Sequence, residues 1–207
     1  MVFEDVLRLA ESGDTEAMNQ LGAMYAEGRE VERDPEQAFQ YYKMAADLGH
    51  PLASSNLGFC YLYGTGTEKN AEEAYKAFAK AAFFDIGDAI VRLGDMYNSG
   101  TYVSGDTKTA YRLYMKAFHL SKDKLDDWGM QQVYSDVCVR IGELYLHGIE
   151  VETDIAKAIN WFSNALTVYK IRERKKDFYC QSGLERTKED LREAMEMLDA
   201  VDSEDGD

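Results

Sequence analysis

The sequence predicts an all-α fold, a solenoid built from antiparallel helix pairs, and three observations support this prediction. An eight-residue segment recurs four times, small and aromatic residues recur with the same steps elsewhere, and potential helix caps share one position in every unit. The four copies of the segment, at steps of 36, 36 and 48 residues, are LGAMYAEG, LGFCYLYG, LGDMYNSG and IGELYLHG. A period of this length is typical of helical repeat proteins.

The first helix of each unit carries the recurring segment. In the first copy, Leu21, Met24 and Tyr25 form an apolar stripe with helical spacing, and Gly28 suits a left-handed C-cap. A glycine inside a helix costs about 1 kcal/mol relative to alanine, so the glycine that recurs within the segment needs a packing reason. We expect close approach of the paired helix, where a small residue also recurs. The glycines are Gly22, Gly58, Gly94 and Gly142, and the small residues of the paired helix are Ala38, Ala74, Ala110 and Ala158.

The second helix of each unit begins at a capping residue. In the first unit, Ala38, Tyr42 and Ala45 lie on one helical face. An Asp or Asn before such a stripe can accept the free amide protons of the first turn, and Pro35 occupies the favoured first position. The capping residues are Asp34, Asn70, Asp106 and Asp154.

These units organise a single predicted domain over residues 1–201. The last step between segments is 12 residues longer, so we expect an insertion that extends either the last helix of the third unit or the first helix of the fourth. The final residues, 202–207, are predicted to be a disordered acidic tail. The predicted elements are an N-terminal capping helix at 1–13, repeats at 14–49, 50–85, 86–121 and 133–171, the insertion at 122–132, and a C-terminal capping helix at 177–200.

The repeated residues resemble the Sel1-like repeat family, which is related to tetratricopeptide repeats. The shared pattern is L-G-x-x-Y-x-x-G, a short loop, a capping Asp and then K-A-x-x-W/Y-Y/F-x-K-A, and it covers roughly residues 14–170. The resemblance implies a right-handed α–α superhelix that binds other proteins. The fourth unit fits best, through Lys157, Ala158, Trp161, Phe162 and Ala165.

One position departs from the family pattern. The second loop glycine is present only as Gly66, and Glu30, Tyr102 and Glu150 replace it in the other units. We therefore expect those three loops to bend differently.

Charge and cysteine content restrict the kind of partner. The formal net charge of −15 argues against binding of nucleic acid or an anionic membrane, and it favours a locally basic partner. The first residues include acids and no basic stretch, so we expect no secretory signal. Three cysteines without a CxxC pair point to a reducing compartment, and the expected location is the cytoplasm.

The sequence offers no catalytic, cofactor-binding or metal-binding residue that can be named, so we predict a protein that is not an enzyme. Cys138 and His147 are the nearest Cys/His pair, yet nine residues on one helix place them on opposite sides. Cys60 and Cys138 share their positions with apolar residues of other units and are expected to face the core. An alternative remains open: a small-molecule binder or hydrolase whose site is assembled across several repeats.

A basic cluster lies near the end of the last repeat. It can be a solvated helix end, a clasp for the acidic tail, or a phosphate or nucleic-acid site. Its members are Lys170, Arg172, Arg174, Lys175 and Lys176.

The tetratricopeptide layout places the partner on the concave face, which the first helix of each unit lines. There the second unit presents aromatic and aliphatic residues while the neighbouring units present carboxylates. This combination favours a protein or peptide that is basic and has a hydrophobic anchor. The alternative is that Phe59 and Tyr63 only pack against the neighbouring unit. The predicted partner-binding residues are Glu16, Asn19, Glu27, Phe59, Leu62, Tyr63, Asp95, Asn98, Asp136, Glu143 and His147.

Overall fold

The computed structural model describes residues 2–177 and 180–204, and these residues form ten α-helices and no strand. The all-α fold class, a helical-repeat solenoid, is therefore confirmed. The helices are α1 (Phe3–Glu11), α2 (Thr15–Glu27), α3 (Pro35–Asp47), α4 (Pro51–Tyr63), α5 (Ala71–Phe83), α6 (Gly87–Ser99), α7 (Thr107–Ser121), α8 (Trp128–His147), α9 (Ile155–Arg174) and α10 (Gln181–Glu204).

The helices belong to two compact units. The N-terminal unit comprises the residues up to Met96 together with Gly100–Ser104, and the C-terminal unit comprises Tyr97–Ser99 together with the residues from Gly105 onward. Within the N-terminal unit, α1 to α5 pack in chain order, each against the next; α7 to α10 do the same in the C-terminal unit. The assignment of residues 1–201 to a single domain stays a prediction.

The predicted helix caps are confirmed. The side chains of all four capping residues accept backbone N–H groups of the first helical turn, at 2.9–3.1 Å. At the other end, each first helix stops at a glycine with a left-handed backbone. These glycines, with φ between 66° and 72°, are Gly28, Gly64, Gly100 and Gly148.

The glycine position inside the first helix faces an aromatic ring. A Cβ added to Gly58 would lie 2.6 Å from Phe78, and one added to Gly22 would lie 2.5 Å from Tyr42. Gly142 has the same relation to Phe162. Close approach of the paired helix is thus confirmed. The nearest atoms belong to the aromatic residue one turn after the alanine, and they occupy the place where a side chain at the glycine would otherwise stand.

The loops without the second glycine keep the same bend, so the expectation of different bends was wrong. Glu30, Tyr102 and Glu150 adopt φ values of 65°, 68° and 61°, close to the 71° of Gly66. A non-glycine residue in this region is strained by roughly 1–2 kcal/mol, and it persists only where surrounding contacts hold it.

These loop residues each contact the start of an earlier helix. Glu30 accepts the Phe3 amide proton of α1 at 3.0 Å, and Glu150 accepts the Thr107 hydroxyl of α7 at 2.6 Å. The Tyr102 ring lies 5.5 Å from the Tyr75 ring of α5. Gly66 approaches the α3 N-terminus so closely that a Cβ would meet the Pro35 carbonyl. At the three non-glycine positions, the side chain therefore makes a contact that joins consecutive repeats, and this contact holds the strained backbone in place.

Replacement of Glu150 separates the cost of its strained backbone from the stabilisation by its bond to Thr107. Glu150→Ala retains the strained backbone and loses the bond to Thr107, so we expect it to lower the free energy of unfolding by about 1 kcal/mol. Glu150→Gly loses the same bond but removes the strain, so it should be more stable than Glu150→Ala by about 1 kcal/mol. Urea unfolding of both variants measures the difference. Equal stability of the two variants would show that the backbone at residue 150 is not strained.

The insertion lengthens helices on both sides of its connection. Helix α8 has 20 residues where α2, α4 and α6 have 13, and α7 has 15 where α3 and α5 have 13. Helix α9 also has 20 residues and packs along the lengthened α8. Both of the extensions that the sequence left open are therefore present, and the longer one is in α8. Of the predicted insertion at 122–132, residues 128–132 belong to α8 and the others to the connection before it.

Both segments that were predicted as terminal capping helices form helices. Helix α1 lies within the predicted range 1–13, and α10 continues to Glu204, four residues past the predicted end. Leu184 and Ala194 of α10 are buried against α8 and α9, whereas Met195 is exposed. Of the predicted acidic tail at 202–207, residues 205–207 lie outside the described residues.

Candidate partner-binding surfaces

An aromatic pair on α4 is the most exposed apolar part of the predicted surface. Phe59 and Tyr63 stand one helical turn apart with their rings stacked, 6.2 Å between centroids and 9° between planes. Phe59 is half-buried and meets the Phe78 ring edge-on at 5.2 Å, while Tyr63 is 57% exposed. Leu62, between them in the chain, is half-buried. Phe59 therefore anchors the pair and Tyr63 presents it to solvent.

The Arg92 side chain of α6 covers the ring of Phe59, the less exposed member of the aromatic pair. The Arg92 guanidinium lies 5.7 Å from the Phe59 ring centroid and donates to the Asp95 carboxylate at 2.8 Å. Asp95, predicted as an acidic contact for a partner, is thus already paired with an arginine of its own helix. The surface nevertheless shows that Phe59 accepts a guanidinium on its face, which is a favourable cation–π geometry.

The predicted residues on α2 have different roles. Glu27 is exposed and lies 3.4 Å from Arg29. Asn19 is only 6% exposed, and its side-chain oxygen accepts from Asn56 at 3.0 Å. Asn19 therefore joins α2 to α4, and its side chain is committed within the protein.

Glu16 is exposed and is held by a histidine of α4. The His50 Nδ1 atom accepts the Ala53 amide proton at 3.1 Å and so caps α4. Because Nδ1 accepts, the ring proton is on Nε2, which donates to Glu16 at 3.0 Å. This carboxylate remains largely accessible to solvent.

In the C-terminal unit, three predicted residues meet at one cavity. A space of about 280 Å³ is lined by Asn98, Glu143 and His147 together with Arg140 and Arg186. The sequence predicted the first three as part of a partner-binding face, and all three line this cavity. Neither arginine was predicted.

The carboxylates of α8 are paired within the chain. Glu143 accepts from Arg186 of α10 at 2.5 Å. Burial raises the pKa of Glu143, the charge of nearby Asp190 adds to the rise, and Arg186 opposes it. Asp136 accepts from the Tyr169 hydroxyl at 3.3 Å and lies 4.0 Å from an Arg140 nitrogen.

Helix α10 covers part of the side of α8 that was expected to face a partner. Val139 and Leu146, at inward positions of the fourth unit, are buried in a cluster with Leu184 and Ala194 of α10. Sequence reasoning missed this because α10 lies some 40 residues further along the chain and carries no local signal of where it packs. Arg92, by contrast, stands three residues before Asp95, a spacing at which helical side chains meet.

The basic cluster near the end of α9 is divided. Arg172 is 2% exposed, donates to Asp177 at 2.8 Å and to Ser135 at 3.2 Å, and lies over the Trp128 and Tyr169 rings, each 5.7 Å away. Trp128 also donates to Asp177, at 3.2 Å. None of the three sequence interpretations therefore holds for Arg172, which is part of the core around the lengthened α8. The other four basic residues of the cluster are exposed.

The cysteines face the core, as predicted for Cys60 and Cys138. Both are buried and free, and Cys180 is buried as well. Burial raises the pKa of Cys60 to about 11 and that of Cys138 to about 12, so these thiols stay protonated at neutral pH. Within residues 2–177 and 180–204, no group of three or more His, Cys, Asp or Glu side chains is placed to hold a metal ion.

The paired helices, the recurring caps and the stacked repeats define a helical-repeat solenoid protein. A family model for the Sel1 repeat matches residues 15–50, 51–82, 87–121 and 135–166, close to the four predicted repeats. The chain therefore belongs to the Sel1 repeat family. Proteins of this family are generally non-catalytic scaffolds that bind other proteins.

Solved structures share this fold. A protective antigen of uropathogenic Escherichia coli with an SLR fold is 25% identical over 82% of this chain, with a TM-score of 0.59; the chain spans 41% of that protein's length. A Sel1 repeat protein from Oxalobacter formigenes is 26% identical over 92% of this chain and 99% of its own, with a TM-score of 0.53. An immunity protein from Pseudomonas aeruginosa is similar in fold alone, at 18% identity over 91% of this chain and 73% of its own, with a TM-score of 0.51.

Comparison with curated protein sequences finds no match. In the part of the chain that the structure describes, no helix has the length and apolar character needed to span a bilayer.

Proposed function

We propose that this chain is a non-catalytic scaffold or adaptor that binds a protein or peptide through the first helices of its repeats. The observation that carries the proposal is Tyr63, which stands 57% exposed on top of a ring that is itself held by the core. A rigid, exposed aromatic residue supplies large contact area at little entropic cost, which is why such residues dominate binding energy at protein interfaces.

The proposed partner has a hydrophobic anchor and basic residues. The anchor would contact Tyr63 and Leu62 on α4. Support for the basic character comes from the net charge of −15 and from the exposed carboxylates Glu16 and Glu27 on α2, which belongs to the same N-terminal compact unit as α4. The Arg92 guanidinium on Phe59 is an example, within the chain, of the contact that a partner's arginine would make. The same negative charge argues against nucleic acid or an anionic membrane as the partner.

A cytoplasmic location forms part of the proposal. Three buried, free cysteines suit a reducing compartment, where a thiol needs no disulfide partner.

Tyr63→Ser tests the proposal. The probe is a fluorescein-labelled peptide with a central phenylalanine flanked on each side by two arginines, and a second peptide carries glutamate in place of arginine. We expect the wild-type chain to bind the arginine peptide more tightly than the glutamate peptide. Tyr63→Ser should weaken binding of the arginine peptide by at least about fivefold, because truncation of a central aromatic residue typically costs more than 1 kcal/mol. Fluorescence anisotropy measures both comparisons.

Phe83→Ser is the matched control, since Phe83 is an exposed aromatic residue at the end of α5. It should leave the affinity unchanged, and circular dichroism should be the same for both variants and the wild type. Equal binding of the two peptides would contradict the basic character of the partner, and a Tyr63→Ser affinity equal to wild type would contradict the proposed surface.

A further inference from the structure

We propose that Arg186 of α10 blocks the Glu143 carboxylate of α8, which an arginine of a partner protein would otherwise bind. Helix α10 then competes with the partner for Glu143 and weakens its binding. This inference rests on the proposed function and concerns the regulation of the surface in the C-terminal unit.

The ion pair between the two residues is asymmetric. The Arg186 side chain is 67% exposed, whereas that of Glu143 is 30% exposed, and the two meet at 2.5 Å. An exposed arginine gains little from such a pair, because water and salt screen the interaction. The carboxylate, in contrast, lies at the cavity with Asn98 and His147, where space for an incoming side chain remains.

Arg186 can leave Glu143 without detachment of the helix. Helix α10 is held to α8 and α9 by Leu184 and Ala194, both buried, and Thr187 on the next turn is buried as well. A rotation of one exposed side chain is therefore sufficient to free the carboxylate.

The surroundings of the pair carry unmatched negative charge. Arg140 donates to the Asp136 backbone carbonyl at 2.9 Å and lies 4.0 Å from the Asp136 carboxylate, and its charge also lowers the pKa of Glu143. Asp190 of α10 has a buried Oδ2 atom without a hydrogen-bond partner among the described residues. Burial raises the pKa of Asp190, neighbouring Glu193 and Glu189 raise it further, and Arg186 and His147 act in the opposite direction. Arg140 and Arg186 therefore face three carboxylates, those of Asp136, Glu143 and Asp190, and a cation from a partner would complement the remaining negative charge.

A double-mutant cycle tests this competition with a fluorescein-labelled peptide of four arginines, which has no hydrophobic anchor for α4 and probes the C-terminal unit alone. Arg186→Gln frees Glu143, so we expect the peptide to bind about two- to fivefold more tightly, the range that corresponds to loss of a weak competing ion pair. Glu143→Gln should weaken binding, and Arg186→Gln should give no gain in the Glu143→Gln background. Lys188→Gln is the matched control, since it removes a positive charge from the same helix where the partner is Glu185 at 2.7 Å. It should change the affinity less than Arg186→Gln does.

The outcomes separate this inference from the proposed function. If the wild type binds the four-arginine peptide and Arg186→Gln leaves that affinity unchanged or lower, the competition is refuted while the scaffold proposal stands. The competition is also refuted if the gain persists in the Glu143→Gln background or is matched by Lys188→Gln. If neither wild type nor Arg186→Gln binds the four-arginine peptide, the competition is refuted, and the Tyr63→Ser comparison with the phenylalanine peptide decides the scaffold proposal separately.

Discussion

Arg172→Ala is expected to lower the free energy of unfolding by about 3–5 kcal/mol. The guanidinium is buried with Asp177, whose side chain is 5% exposed, so its removal leaves a carboxylate without its cation away from water. Packing against Trp128 and Tyr169 is lost in the same step. For a chain of this size the change corresponds to a fall in melting temperature of at least about 6 °C, measured by circular dichroism.

Two further variants show whether the buried charge is the cause. Arg174→Ala removes an exposed arginine from the same basic cluster and should change stability by less than about 0.5 kcal/mol. Arg172→Met combined with Asp177→Asn removes both charges while an acceptor for Trp128 remains, so it should recover much of the loss. A melting temperature for Arg172→Ala equal to that of Arg174→Ala would refute the structural role of the ion pair.

Gly58→Leu should destabilise the N-terminal unit by about 1–3 kcal/mol through overpacking. A Cβ at residue 58 would lie 2.6 Å from Phe78, which is fully buried and is further confined by the edge-on Phe59 ring. The higher helix propensity of leucine offsets this by about 1 kcal/mol at most. Thermal and urea unfolding measure the net effect.

The contact between Gly58 of α4 and Phe78 of α5 can be tested by a double variant that enlarges the first residue and truncates the second. Phe78→Ala alone should cost about 3–5 kcal/mol, and Gly58→Leu with Phe78→Ala should cost less than the sum of the single changes, because the new side chain fills the space of the ring. Gly129→Ala is the control: its added Cβ meets only the Asp127 side chain, at 3.3 Å, so little loss is expected. Strict additivity of the two changes would show that Gly58 and Phe78 do not limit each other.

The candidate surfaces were predictable only in part. The spacing of the repeats placed Tyr63 and Phe59 on one face, and it brought Asn98, Glu143 and His147 to one cavity. The spacing could not show that the Glu143 carboxylate is already paired with Arg186. Pairing of an acid with a base depends on which side chains reach each other in space, and Arg186 is 43 residues from Glu143 in the chain.

The sequence by itself determined the helices, their caps and the unit of repetition. These features depend on contacts within a few residues, such as an Asp that accepts from the next turn or a glycine that ends a helix. The same short-range rules explain why the cysteines could be assigned to the core from the periodicity of the apolar residues around them.

Only the tertiary structure decided where long-range partners lie. It placed an aromatic ring against each inner glycine for which the contact is described, and it kept a left-handed bend at Glu30, Tyr102 and Glu150 through contacts with earlier helices. It also buried Arg172 and packed α10 mainly against α9, with a smaller contact to α8. In each case the deciding energy comes from packing or charge pairing between residues that are distant in the chain, and no local pattern encodes that energy.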